Sequence, residues 1–156
     1  MRTPATDALA ARSAAYELRF YDEVEKTAEE VAKKLALPPQ VVFKTLLVRA
    51  GREFAIAVVP ATGELSLRRL ARAWGKPACE MADPQDIQRI TGYVRGSVSP
   101  LGLRRALPVF IDEGACGAAR VAVSAGARGA ELLVAPDVLC AAAQGAFHAI
   151  CRAEST

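Results

Sequence analysis

The sequence predicts an α+β fold: a curved, barrel-like mixed β-sheet flanked by helices, in a single domain over residues 1–156. Three observations carry this. Short β-rich runs and short amphipathic helical runs both occur throughout the chain. They do not alternate as strict βαβ units would. The 156 residues suit one domain that buries roughly 70% of its unfolded surface, and no linker, repeat or low-complexity tract divides them.

Taken in order, Thr3-Pro4 opens a short helix to about Ser13, because proline fits the first helical position. Tyr16, Leu18 and Phe20 alternate with Glu17, Arg19 and Tyr21, the period of a half-buried strand. Thr27-Ala28-Glu29-Glu30 is a capping box that starts a helix burying Ala28, Val31 and Leu35, closed by Pro38 and Pro39. The β-rich runs from Lys44 to Arg49 and from Phe54 to Val59, joined at Gly51-Arg52, read as a hairpin. Ser66 opens a helix with Leu67, Leu70, Ala71 and Trp74 on one face, and Gly75 ends it. Asp83-Pro84 begins another, ending near Thr91-Gly92. From Gly92 to Gly102 the chain has no period and is expected to be a loop. Strands are expected at Val109 to Asp112, Val121 to Ser124 and Leu132 to Val134, then a helix from Pro136 and a closing strand from Phe147 to Cys151.

A hydrophobic fraction of 52% and a charged fraction of 24% exclude a disordered chain. The formal net charge of +3 permits a polyanionic partner without requiring one. Met1 to Ala14 lacks a signal peptide's apolar core, and no apolar run approaches the ~20 residues of a membrane helix, so a cytoplasmic location without a membrane partner is expected. Cys79, Cys116, Cys140 and Cys151 form no C-x-x-C pair and read as buried thiols, not disulfides. With His148 as its one histidine and no clustered ligands, the chain is expected to use no metal.

Four features could carry chemistry, and each has an ordinary reading beside it. Lys44 starts an apolar strand; it either snorkels to solvent, the better reading of this run alone, or turns its ammonium into a cleft. The loop Gly92-Tyr93-Val94-Arg95-Gly96-Ser97-Val98-Ser99-Pro100-Leu101-Gly102 is either an irregular connection or a cradle of free N–H groups for an oxyanion or phosphate. Ser124-Ala125-Gly126-Ala127-Arg128-Gly129 is a turn or the second wall of a pocket, with the turn favoured. Arg68, Arg69, Arg72 and Lys76, with Arg104 and Arg105, form a solvated helix face or a nucleic-acid contact. His148 beside Phe147 reads as structural. No serine sits in a G-x-S-x-G elbow and no cysteine has a paired base, so no protein nucleophile is in view.

Val42-Phe43-Lys44-Thr45-Leu46-Leu47-Val48, Glu80-Met81-Ala82-Asp83-Pro84, Thr91-Gly92-Tyr93, Gly96-Ser97-Val98-Ser99-Pro100-Leu101-Gly102 and Val123-Ser124-Ala125-Gly126, in this order, resemble the YbaK/EbsC family from about Pro4 to Ile150. They are most similar to the branch that hydrolyses cysteinyl-tRNA(Pro), related to the editing domain inserted in some prolyl-tRNA synthetases. The resemblance implies an aminoacyl-ester hydrolase working in trans without metal or organic cofactor. It implies the tRNA(Pro) acceptor end as partner, and prolyl-tRNA synthetase as a further one. It places the family's lysine on Lys44, pocket residues on Tyr21, Thr45, Ser124 and Gly126, and the G-x-x-x-P loop on Gly96, Ser97, Val98, Ser99 and Pro100. In that branch, by resemblance, the substrate's own thiol attacks the ester, which fits a chain without a nucleophile. Thr45 and the segment near Ser124 differ from the alanine-editing branch, which has asparagine and a histidine there. Glu131 stands where the family has aspartate, and the segment after Tyr21 is shorter than in the best-known members. Other readings are a deacylase for alanyl-tRNA(Pro) or another small noncognate aminoacyl-tRNA, and a non-catalytic module that binds tRNA ends or a synthetase.

Overall fold

The computed structural model describes residues 1–22 and 27–153; the shortened segment after Tyr21 runs into residues 23–26, outside the described residues. The predicted hairpin forms and is longer than expected: β2 (Phe43–Ala50) and β3 (Glu53–Pro60) pair antiparallel around Gly51, whose φ of +62° allows the tight turn. β4 (Glu80–Met81), which the sequence did not announce, pairs antiparallel with β2. On the other side, β5 (Val109–Asp112) runs parallel to β3, and β8 (Ala146–His148) parallel to β5. The order of this mixed sheet is β4-β2-β3-β5-β8.

A second, antiparallel sheet has the order β1-β7-β6, built from β1 (Glu17–Phe20), β6 (Val121–Ser124) and β7 (Ala130–Val134). One parallel bridge, Val42 to Ala122, links the two sheets. The α+β class is as predicted, but the strands lie in two sheets that do not close into a barrel. The reason lies just past Ala122, where β6 leaves β2. The Ser124 hydroxyl donates to the Ser97 carbonyl at 3.0 Å and accepts from the Gly126 N–H at 3.1 Å, so this end of β6 is tied to loops and not to β2.

The main core fills the space between the sheets. Phe43, Leu47, Ile56 and Val58 meet Val121, Val123, Leu132 and Val134, closed by Leu9 of α1 (Pro4–Ala11), Ile90 of α4 (Pro84–Thr91) and Leu139 of α5 (Pro136–Ala143). On the opposite face of the larger sheet, Val48, Ala55, Ala57 and Val59 are covered by Leu70 of α3 (Leu67–Trp74), which ends at Gly75 with φ +75° as expected. A small third cluster joins Ala32 of α2 (Ala28–Lys34) to Val42, Ala122 and Leu133. The two-residue period of β2 therefore sends Phe43, Thr45 and Leu47 toward the main core, and Lys44, Leu46 and Val48 to the other face.

Several expectations change. β1 forms, yet Tyr16 is 36% and Phe20 60% exposed; only Leu18 reaches the core, because this four-residue strand lies at a sheet edge. The closing strand ends at His148, not Cys151. Asp112 Oδ1 accepts from the N–H groups of Ile150 and Cys151, at 3.1 and 3.2 Å, and draws the backbone off the ladder. The other Asp112 oxygen accepts from Gly114 N–H at 3.0 Å and starts a 3₁₀ turn, Glu113–Gly117. All four cysteines are free, but Cys116 on that turn is exposed and the others only half-buried. In α2, Ala28 is half-buried while Val31, Ala32 and Leu35 are buried.

Candidate active site

A cleft of about 210 Å³ opens where β2 and β6 part beyond the Val42–Ala122 bridge. Phe43, Lys44 and Thr45 form one wall, Ser124 and Glu131 the facing wall, and Gly96 with Val98 one end. Tyr21 and the start of α2, through Thr27, Ala28 and Val31, close the remainder. Thr27 caps α2 by accepting the Glu30 N–H at 3.0 Å. Arg19 holds the far end of the helix against β1, donating to the Leu35 carbonyl at 3.1 Å.

Seven of the residues singled out in the sequence thus come together: Tyr21, Lys44, Thr45, Gly96, Val98, Ser124 and Glu131. Ser97, Ser99 and Gly126 do not line the cleft but sit behind it. The Ser97 hydroxyl donates to the Val94 carbonyl at 3.0 Å, and Ser99 Oγ accepts from Leu101 N–H at 3.3 Å. Gly126, at φ +91°, lies so close to the Tyr93 ring that an added Cβ would come within 2.5 Å of it. Tyr93 is fixed in turn by its hydroxyl, which donates to the Leu101 carbonyl at 2.5 Å. Thr27, Ala28, Val31, Val42 and Phe43 were not singled out as site residues. The apolar period of α2 marked Ala28 and Val31 only as core.

Loop and turn share one support. The Thr3 hydroxyl donates to the Ala125 carbonyl at 2.5 Å, and Pro4 packs against Gly102 so tightly that no Cβ fits there. Gly96 differs: its φ of +89° needs glycine, yet the space beside it is open.

Two buried polar atoms in the cleft have no hydrogen-bond partner among the described residues, Thr45 Oγ1 and Glu131 Oε2. Buried polar groups are nearly always bonded, so two such atoms in one cleft point to a polar ligand. The Tyr21 phenol lies near the Glu131 carboxyl, and each influences the other's titration. Burial dominates the titration of Glu131, which is 7% exposed; its carboxyl is pushed up to about 8 and so carries a proton at neutral pH. Burial, and then the nearby Glu131 carboxylate, raise the Tyr21 phenol. Lys44 is the one cation among the described residues that line the cleft. Its β2 parity sets it at the rim, on the opposite face from Thr45.

No histidine or cysteine is among the described lining residues. His148 instead packs its ring against Phe110, centroids 5.6 Å apart, on the far side of the larger sheet. The Ser124 hydroxyl proton is committed to the Ser97 carbonyl. The cleft can therefore bind a small polar group, orient it and place a positive charge near it, but its described residues offer no activated side-chain nucleophile.

The family described as the aminoacyl-tRNA editing domain matches residues 22–141, which hold every lining residue except Tyr21. The chain belongs to this family. A relative from Enterococcus faecalis, carrying the provisional name Cys-tRNA(Pro)/Cys-tRNA(Cys) deacylase EbsC, is 34% identical over 135 residues, 86% of this chain and 82% of that protein. The proline–tRNA ligase of Desulforamulus reducens is 35% identical over 79 residues; this editing domain aligns with only 14% of that enzyme. A crystal structure provisionally described as a trans-editing enzyme for prolyl tRNA synthetase superposes with a TM-score of 0.88 at 22% identity, covering 98% of this chain and 99% of that one. The family resemblance drawn from the sequence is borne out, as is the α+β fold. No helix of the described residues is long and apolar enough to cross a membrane.

Proposed function

We propose that residues 1–156 are one trans-acting deacylase domain that removes cysteine from mischarged tRNA(Pro), with the substrate thiol as nucleophile. The observation that carries this is the composition of the cleft: among its described residues, one cation, two unpartnered polar atoms and no activated nucleophile. Its 210 Å³ is below the ~300 Å³ of sites for drug-sized ligands, which favours a small aminoacyl group. Membership of an editing family and the name of the E. faecalis relative support the same reading.

The need for such an enzyme follows from pocket physics. A synthetase pocket distinguishes small apolar side chains by only ~1–3 kcal/mol, so a second site must remove the errors. In the proposed step the substrate sulfur forms a bond to the ester carbonyl carbon and the bond to the ribose oxygen breaks. The thiol proton ends on that oxygen, releasing the tRNA and a cyclic thioester. Lys44 supplies the positive charge that favours thiolate or meets the developing oxyanion, helped by the backbone at Gly96. Thr45 and Glu131 orient the aminoacyl group through their unpartnered atoms. Glu131 is neutral at pH 7 and does not repel a thiolate. The tRNA acceptor end is the partner that this reading requires, with delivery by prolyl-tRNA synthetase.

The test is deacylation of a panel of charged tRNAs with protein far below substrate concentration. Repeated turnover of cysteinyl-tRNA(Pro) is expected. Protection without hydrolysis would make the protein a binding module, and preferential turnover of alanyl-tRNA(Pro) would reject the thiol route.

A further inference from the structure

The larger hollows lie elsewhere, along the exposed side of α3. Three adjoining depressions of about 510, 390 and 350 Å³ share Arg72, with Arg68 in the first two and Arg69 in the last two, and reach Lys76, Arg152 and His148. No Asp or Glu is among the described residues lining any of them. Arg68 and Arg72 are exposed and have no ion pair among the described residues. Their neighbours at the edge are paired: Lys76 with Glu53, and Arg152 with Glu64 at 3.8 Å.

Of this cluster only Arg72, in the last turn, suits the helix dipole. Ser66 is the N-cap, so Arg68 and Arg69 occupy the first turn, where the helix dipole is positive and cations are unfavourable by about 0.3–1 kcal/mol each. Leu67, Leu70 and Trp74 do the packing on the opposite side. Arg68 and Arg69 at the positive helix end, with Arg72 one turn on, make a guanidinium cluster complementary to phosphate, which arginine grips with two parallel N–H bonds. Arg68 and Arg72, one turn apart, are ~6 Å from each other on the same face.

The patch also extends toward the strand that carries Lys44. Lys44 and Arg69 are both close enough to act electrostatically on the Cys151 thiol, and Arg69 donates to the Cys151 carbonyl at 3.0 Å. By its strand parity Lys44 lies on the side of the larger sheet that α3 covers, so Lys44, Arg68, Arg69 and Arg72 place positive charge on one side of the sheet. We propose that this face of α3 holds the phosphate backbone of the double-stranded arm of the RNA whose aminoacyl end occupies the cleft, with Arg68 and Arg72 as the main contacts. The inference rests on the deacylase reading for the identity of its ligand.

The experiment compares wild type with the double variant Arg68→Glu/Arg72→Glu in three measurements. First is hydrolysis of full-length cysteinyl-tRNA(Pro) and of a cysteinylated CCA trinucleotide. The variant is expected to raise KM for the full-length substrate on the order of tenfold or more, with kcat and trinucleotide hydrolysis within about twofold of wild type. Second is binding of an uncharged RNA hairpin with the acceptor-arm sequence across a salt series. The slope of log K against log salt is expected to fall by about 2. Third is a thermal melt, in which the variant is expected to stay close to wild type, because the acid gained in the first turn at position 68 offsets the cation lost from the last turn at position 72. Unchanged hairpin binding and unchanged full-length KM overturn the proposal, which is also what an acidic protein as the true occupant would give. Equal losses on both substrates overturn it as well, because the residues would then act on the cleft. If wild type hydrolyses neither substrate, the deacylase reading falls, while hairpin binding still decides the surface.

Discussion

The cleft and the outer face of α3 flank the same strand, β2, and differ in nearly every physical respect. The cleft is small, walled by strands of both sheets, and its described residues hold one cation at the rim and a buried acid that keeps its proton. The α3 face is broad and shallow, lined by arginines and without an acid among its described residues. The first environment suits selection of a small group and charge stabilisation at one point. The second suits a long polyanion held by many weak, salt-sensitive contacts. Lys44 belongs to both, since its strand parity is that of the α3 side while its position lines the cleft.

The largest effect that would sharpen this contrast is expected from Lys44→Ala. Turnover should fall on the order of 10²-fold on full-length and trinucleotide substrates alike, with the melt retained, if its charge meets the reacting ester. A loss confined to the full-length substrate would move Lys44 to the phosphate-binding face.

The two glycines that bracket the loop separate chemistry from scaffold. Gly102→Val should reduce stability by roughly 3 kcal/mol or more, because φ is +66° and Pro4 fills the space of a side chain. Gly96→Ala should cost about 1–2 kcal/mol for its backbone conformation and lower turnover about tenfold while the protein stays folded. Thermal melts beside deacylation rates check both; an active, fully stable Gly102→Val protein would break the assignment of that end to the scaffold.

A smaller effect concerns Glu131. Its folded carboxyl titrates near 8 against an ordinary value of 4.5. Between those values the unfolded chain releases a proton that the native state keeps, so stability falls as pH rises through this window. Glu131→Gln, neutral throughout, should therefore gain on wild type at pH 8 relative to pH 5. Substrate thiolate increases toward the thiol's ~8.5, so the wild-type rate should rise with pH and then turn down as Glu131 ionises, whereas Glu131→Gln should keep rising. Superimposable pH–rate and pH–stability profiles would remove this role.

The elements with strong local signals were legible in the sequence: the hairpin from its β-rich runs and Gly51, α3 from Ser66 and Gly75, and the irregular Gly92–Gly102 segment. Lys44 and Thr45 became site candidates through the family resemblance, because the residues alone favoured a snorkelling lysine. Features set by distant partners were not legible. The early end of β8 depends on Asp112 capturing N–H groups 38 and 39 residues away. The parting of β2 and β6 creates the cleft and makes Thr27, Ala28 and Val31 part of its wall, and no local pattern encodes it. Ser97, Ser99 and Gly126 matched the site motifs, yet their side chains or close packing brace its back.

The most direct test of the account is single-turnover deacylation of cysteinyl-tRNA(Pro) and seryl-tRNA(Pro) at matched concentrations. The two esters differ by one atom, so fit in a 210 Å³ cleft barely changes, while a thiol is a far better nucleophile than a hydroxyl. The account predicts much faster cleavage of the cysteinyl ester, with a pH dependence that follows thiol ionisation. Comparable rates for the two would contradict it and assign the attack to water.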